Sequence, residues 1–128
     1  MSVVKFSLRE QGGYKLSPYF RVSEFACKDG SDAVFIDLAL VVVLDAIREH
    51  FQAPITIMSG YRTEEYNEKI GGAAKSQHVL GKAADIRVRG VSPSTVYRWL
   101  DSWHEGGLGR YDTFTHVDTR TNKARWQG

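Results

Sequence analysis

His78 and Asp85 flank a tight Gly81-Lys82 turn in the stretch SQHVLGKAADIRV, residues 76–88, and a second imidazole, His116, follows in FTHVD. Two imidazoles and one carboxylate suit Zn²⁺. That ion takes nitrogen and oxygen ligands at about 2.0–2.2 Å, and in catalytic sites it keeps a further position for water. Held this way, it makes water a nucleophile near neutral pH. The small residues Gly81, Ala83 and Ala84 let backbone and ligands crowd around an ion. Spacing alone is equally compatible with a plainer assignment: His78 on the surface, Asp85 in a strand-end ion pair, and His116 as a satisfied buried ring. Against the plainer assignment stands the cost of burying a carboxylate and an imidazole among apolar neighbours without a partner.

The elements around these residues must bring them together. GKAADIRVRG reads as a strand, in which Ala83, Asp85 and Arg87 share one face and Ala84, Ile86 and Val88 the other. In the last part of the chain Phe114, His116 and Asp118 share a face, opposed by Thr115, Val117 and Thr119. Asp85 and His116 meet if these strands are neighbours, and the turn through Gly81 folds His78 back towards them. The segment LGRYDTFTHVDTRTNKARW reads as two strands joined by a turn around Thr121-Asn122.

A helix is expected from about Asp37 to Phe51. Leu40, Val43, Leu44, Ile47 and Phe51 follow one helical face, Asp37 caps the start, and Arg48 and His50 suit the C-terminal dipole. Val41 and Val42 extend the apolar surface, which predicts burial on more than one side. Ile55–Met58 reads as a short strand closed by Ser59-Gly60. Thr63 caps a short helix that ends at Gly71-Gly72. Ser92-Pro93 opens another helix, with Val96, Leu100 and Trp103 at helical spacing. A short helix is expected to start at Ser23, with its hydroxyl as the cap. Residues 1–20 read as irregular with short β pieces, and 1–16 as an N-terminal extension to one domain spanning 1–128. Trp99, Trp103 and Trp126 are assigned to the core; Tyr61 and Tyr111 are candidates for lining a substrate groove.

Composition removes several function classes. Hydrophobic residues are 42% of the 128 and charged residues 25%, enough for one real core and against general disorder. The net charge of +2 is spread thinly along the chain, unlike the basic stripe of a nucleic-acid binder. With Cys27 the one cysteine, a disulfide within the chain and a cysteine-rich zinc site are excluded; Cys27 reads as a small buried hydrophobe. LALVVVL at 38–44 is far shorter than the roughly 20 residues of a membrane span. The N-terminal residues show no apolar core of a signal peptide, so cytoplasmic synthesis is expected; a monomer is a separate expectation.

SGYRT at 59–63, SQHVLGKAADI at 76–86 and FTHVD at 114–118 together resemble the zinc D-alanyl-D-alanine carboxypeptidase family, of the LAS group of peptidoglycan metallopeptidases. The likeness runs from about residue 17 to the end and is nearest to the small, phage- or prophage-like branch. It implies an α+β fold of the hedgehog/D,D-peptidase type, with an antiparallel sheet carrying a zinc site and helices on its other face. It implies His78, Asp85 and His116 as Zn²⁺ ligands and Arg62 as the group that polarises the scissile carbonyl and steadies the oxyanion. Ser76 and Gln77 match positions that shape the pocket. The implied substrate is a peptidoglycan stem peptide, met at the bacterial wall after release or carriage by a phage particle.

One departure bears on mechanism. Relatives carry an acid three residues before the last ligand, or a histidine two before it; here those positions are Thr113 and Phe114. Asp118 is the candidate base, acting through water or instead orienting a ligand. Asp112 and His104 are weaker candidates, and His104 is expected as an exposed helix-end residue. Two rivals to a peptidase follow: a metal-containing wall-binding module that has lost its base, and a phage structural protein that only docks.

Overall fold

The computed structural model describes residues 2–128. Strand β1 (Val3–Ser7) pairs antiparallel with β2 (Ala33–Asp37) in a two-stranded sheet. Between them lie a one-turn helix α1 (Leu8–Gln11) and a 3₁₀ turn at Val22–Phe25. Helix α2 (Leu38–Phe51) leads to β3 (Ile55–Ser59), α3 (Glu64–Lys69), β4 (Ala83–Val88), α4 (Pro93–Asp101), β5 (Gly107–Arg110), β6 (Thr115–Asp118) and β7 (Ala124–Gln127). The second sheet has the order β3-β4-β6-β5-β7.

Local chemistry sets the helix boundaries. Asp37 is both the last residue of β2 and the cap of α2, its Oδ1 accepting from the Ala39 amide at 3.1 Å. Thr63 caps α3 through Tyr66 N, and Ser92 caps α4 through Thr95 N with Pro93 in the first turn, where a missing N–H costs nothing. Leu40, Val41, Leu44 and Ile47 of α2 and Val96 and Leu100 of α4 are buried. They join Ala84, Ile86, Val88, Leu108 and Val117 from one face of the larger sheet, and Phe6, Val34 and Ile36 from the smaller one, in a single apolar cluster. Burying a side chain such as Leu44 contributes about 1.5–3 kcal/mol. The fold is α+β, with α2 and α4 packed on the face of the larger sheet opposite Asp85 and His116.

Several expectations need correcting. Residues 3–11 are ordered as strand and helix, because β1 finds a partner in β2, and β2 was not foreseen. Its Val34 and Ile36 alternate with less buried neighbours, but it runs directly into α2, and Asp37 reads as a helix start. The 3₁₀ turn is capped at Arg21, with Glu24 accepting from the Arg21 amide, and not at Ser23. Val42 is 55% exposed, since α2 packs on one side. The final segment holds three strands: the chain reverses at residues 111–114, and β7 crosses to the far edge of β5, pairing with it in parallel. The sheet is therefore antiparallel except at that edge. Trp103 lies beyond α4 and is 39% exposed, Trp99 is half-buried, and Trp126 sits on β7 outside the core.

Candidate metal centre

Asp85 and His116 are direct partners in the β4–β6 ladder, so period-two alternation puts both on the face away from α2 and α4. His116 Nδ1 lies 2.9 Å from Asp85 Oδ1 and His78 Nε2 lies 3.3 Å from Asp85 Oδ2. The donor atoms of the three residues all fall within 4.8 Å of one another, and all three residues are buried. His78 arrives on a loop that reverses at Gly81, whose φ is +77° and where a Cβ would stand 2.5 Å from the Phe35 carbonyl oxygen. Only glycine combines that backbone with that approach.

The outer partners fix which atoms face inward. His78 Nδ1 is 2.7 Å from the Gly60 carbonyl; carrying the proton there, it leaves the Nε2 lone pair facing Asp85. His116 Nε2 is 2.8 Å from Asp118 Oδ2, which leaves Nδ1 on the Asp85 side. Two nitrogens and a carboxylate with their second atoms so restrained fit a zinc ion. Ligands on a tetrahedral ion with such bonds stand about 3.3–3.6 Å apart; the His78–Asp85 pair is at that spacing, and His116 and Asp85 stand closer, at hydrogen-bond distance.

Asp118 is fully enclosed. Its Oδ1 accepts from Gly107 N, Arg120 N and Arg120 Nε, and Arg120 Nη2 reaches Oδ2 at 2.7 Å. Its backbone oxygen lies 2.7 Å from His104 Nε2. His104 is thus buried inside the network and is not an exposed helix end. Burial pushes its pKa below the ordinary histidine value; the neutral ring donates Nε2–H to that carbonyl.

Burial alone would favour neutral acids at Asp85 and Asp118. The hydrogen bonds and charges of His116 and His78 at Asp85, and of His116 and Arg120 at Asp118, outweigh it and hold both well below the usual carboxylate range. For His116 burial opposes the charged ring, but hydrogen bonds to Asp118 and Asp85 win and raise its pKa.

Arg62 stands beside this group. Its Nε donates to Ser59 Oγ at 3.0 Å, Nη1 to Asn67 Oδ1 at 3.2 Å and Nη2 to Asp85 Oδ2 at 3.3 Å. A bulge between Ile57 and Ser59 sets Ser59 opposite Asp85. Three hydrogen bonds leave guanidinium N–H donors uncommitted.

These side chains open onto a pocket of about 460 Å³ lined by Arg62, Ser76, Gln77, His78, Asp85, Tyr111 and His116. The structure thus gathers seven of the nine foreseen site residues around one cavity. Asp118 lies behind His116, and Tyr61 is turned away from the pocket with its ring 5.3 Å from Phe35. Asp112 is exposed and outside the lining. Four contributors went unforeseen. Lys75, Arg120 and Trp126 line the pocket, and Asn67 holds Arg62 from behind. Trp126 lies 5.1 Å from the His116 ring, Arg120 stacks over it at 5.0 Å, and its Nε1 donates to Tyr111 Oη at 2.9 Å. The Asp118/Arg120 spacing in VDTR offered a charge-pair signal for Arg120; Asn67 had none.

Comparison with known proteins adds kinship. The chain is 34% identical over 73 residues to the peptidoglycan L,D-endopeptidase MepK of Escherichia coli (strain K12), covering 52% of this chain and 40% of that protein. It is 37% identical over 83 residues to a probable MepK of Haemophilus influenzae, covering 59% and 44%. It therefore spans less than half the length of these relatives. A solved structure of a variant of the vancomycin-resistance D,D-pentapeptidase VanY, in complex with Zn(II), aligns with a TM-score of 0.41 at 24% identity, covering 62% of this chain and 61% of that one. The family described as Peptidase M15 matches residues 18–118, a span that contains Arg62, His78, Asp85 and His116, and the chain belongs to that family.

Proposed function

We propose that this chain is a zinc-dependent peptidase that cleaves D-alanyl or related peptide bonds in the stem peptides of bacterial peptidoglycan. The observation that carries the reading is the convergence of His78, Asp85 and His116, within ligand distance of one another, beside a fixed guanidinium at the wall of an open pocket. His78 Nε2, Asp85 and His116 Nδ1 would hold the ion. Bound there, zinc supplies Lewis acidity and a neutral-pH nucleophile from water.

The protein's own groups do the rest. Arg62, always charged, is aimed by Ser59, Asn67 and Asp85 and stabilises negative charge as it develops on the scissile carbonyl oxygen. Asp118 fixes the tautomer and direction of His116 from behind; its enclosure keeps it from substrate. Ser76, Gln77 and Tyr111 line the cleft for the peptide. The MepK relatives support a peptidoglycan substrate, and their name points to an L,D bond as the first alternative to a D-alanyl one.

A second reading has one observation in its favour. Among the described residues, Asp85 is the one acid lining the pocket, so a wall-binding module that keeps its metal without cutting fits the same geometry. Incubation with purified stem peptides, with chelator and then with zinc restored, separates the readings. Cleavage that stops and returns, with product masses naming the bond, supports the peptidase. Stoichiometric zinc without any product favours the binding module, and a protein that takes up no zinc leaves docking within a phage particle.

A further inference from the structure

Asn67 is buried on α3, 5% exposed, with every polar group of its side chain engaged. Its Oδ1 accepts from Arg62 Nη1 at 3.2 Å and its Nδ2 donates to the Ala73 carbonyl at 2.8 Å. Its backbone oxygen accepts from Gly72 N at 2.8 Å. A Cβ on Gly72 would fall 2.0 Å from Asn67 Oδ1, so the loop closes on the amide with no room for a side chain. Gly72 and Ala73 both line the pocket. One amide therefore joins the guanidinium to the loop that forms the wall beside it.

The choice of amide over acid has an electrostatic meaning. Arg62 already faces one carboxylate, Asp85, at 3.3 Å. An aspartate at position 67 would grip the guanidinium more firmly, but it would place a second negative charge on it. It would also set an acceptor against the Ala73 carbonyl, where a donor is needed. We propose that Asn67 is a positioning residue for Arg62: its neutral amide fixes the guanidinium at the pocket wall and ties the 72–73 segment to it, without drawing off the charge that Arg62 presents to substrate. The proposal rests on the reading of Arg62 given above.

The test is a double-mutant cycle on the zinc-loaded protein with a stem peptide as substrate. Asn67→Asp should keep full zinc and lower kcat by about 10-fold or more, with KM changed far less, because misaiming a group costs turnover before binding. In an Arg62→Ala background the same substitution should have almost no further effect, since the two act as one unit. A full additional loss in that background, or an unchanged kcat in the single variant, overturns the proposal. Should Asn67→Asp fail to fold, Asn67→Ala enters the same cycle under the same criteria. A readout independent of turnover is the Arg62 Nη1–H resonance by ¹⁵N NMR, the group that donates to Asn67 Oδ1. It should exchange slowly with solvent in the parent and markedly faster in Asn67→Ala; equal exchange overturns the clamp even if the parent cleaves nothing. A parent without activity but with that protection loss sinks the peptidase reading and spares the clamp.

Discussion

On one face of β4 and β6, Ala84, Ile86 and Val117 are each at most 1% exposed and share an apolar cluster with Leu44 and Leu100. One residue away along the same strands, Asp85, His116 and Asp118 are buried almost as deeply, yet each meets named polar partners at 2.7–3.3 Å. The apolar face is stabilised by area, which is non-directional and shared among many neighbours. The polar face is held by direction: remove one partner and another buried charge is left unpaired. Substitutions on the first face should therefore change stability without changing chemistry, and those on the second should change chemistry first, with a stability cost beside it.

The largest test of that contrast is His116→Ala. It should reduce bound zinc to near nothing and turnover to background while the chain stays folded, since Asp85 keeps Arg62 and Asp118 keeps Arg120. Elemental analysis paired with a thermal melt checks it, and full zinc content would remove His116 from the centre. Leu44→Ala lies on the opposite side of the comparison. It should cost about 2–5 kcal/mol of stability by denaturant titration and leave the zinc affinity of the folded protein unchanged. A matching loss of affinity would show that the two faces are not separable. Asp118→Asn is smaller. Weakened support behind His116 should lower zinc affinity by about 10–100-fold in a chelator competition, and parental affinity would relieve Asp118 of that role.

The finest effect is in pH. Asp85 and Asp118 have depressed pKa values, so their contribution to the zinc-free protein is present above the unfolded carboxylate value near 3.9 and fades as pH falls through the folded values. His116 is raised, so its contribution is complete below about pH 6.5 and fades as pH rises through its folded value. The polar face should stabilise the zinc-free chain most between about pH 4 and 6.5. His104, with its depressed pKa, acts in the opposite sense to His116, losing stability as pH falls below the ordinary histidine value. Comparison with His116→Ala isolates the alkaline limb, and identical limbs in the two proteins would contradict the assignment.

Much of this contrast was legible in the chain. Alternation in AADIRV and THVD separated the two faces, because a strand's period leaves no choice once one face is apolar. Caps at Asp37, Thr63 and Ser92 marked three helices through chemistry confined to a few residues. What could not be read depends on contacts between distant segments. The β1–β2 pairing spans α1 and a long loop, and the crossing of β7 to the far side of β5 has no local signature. Trp126 carries the same apolar signal whether it fills a core or walls a pocket. Asn67 reads as an ordinary helix residue until the loop at Gly72-Ala73 folds onto it.

Strand β5 alternates Leu108, in the core, with Gly107 and Gly109 towards the site. A Cβ on Gly107 would stand 2.4 Å from Asp118 Oδ2, and one on Gly109 would stand 2.4 Å from Trp126 Nε1. The acid behind His116 and the indole beside it both rest on bare main chain. A single methyl at either position would act as a wedge, displacing a wall of the cleft while leaving every donor and acceptor chemically intact. Part of the cleft's tolerance to sequence drift is thus set by two residues with no functional group at all.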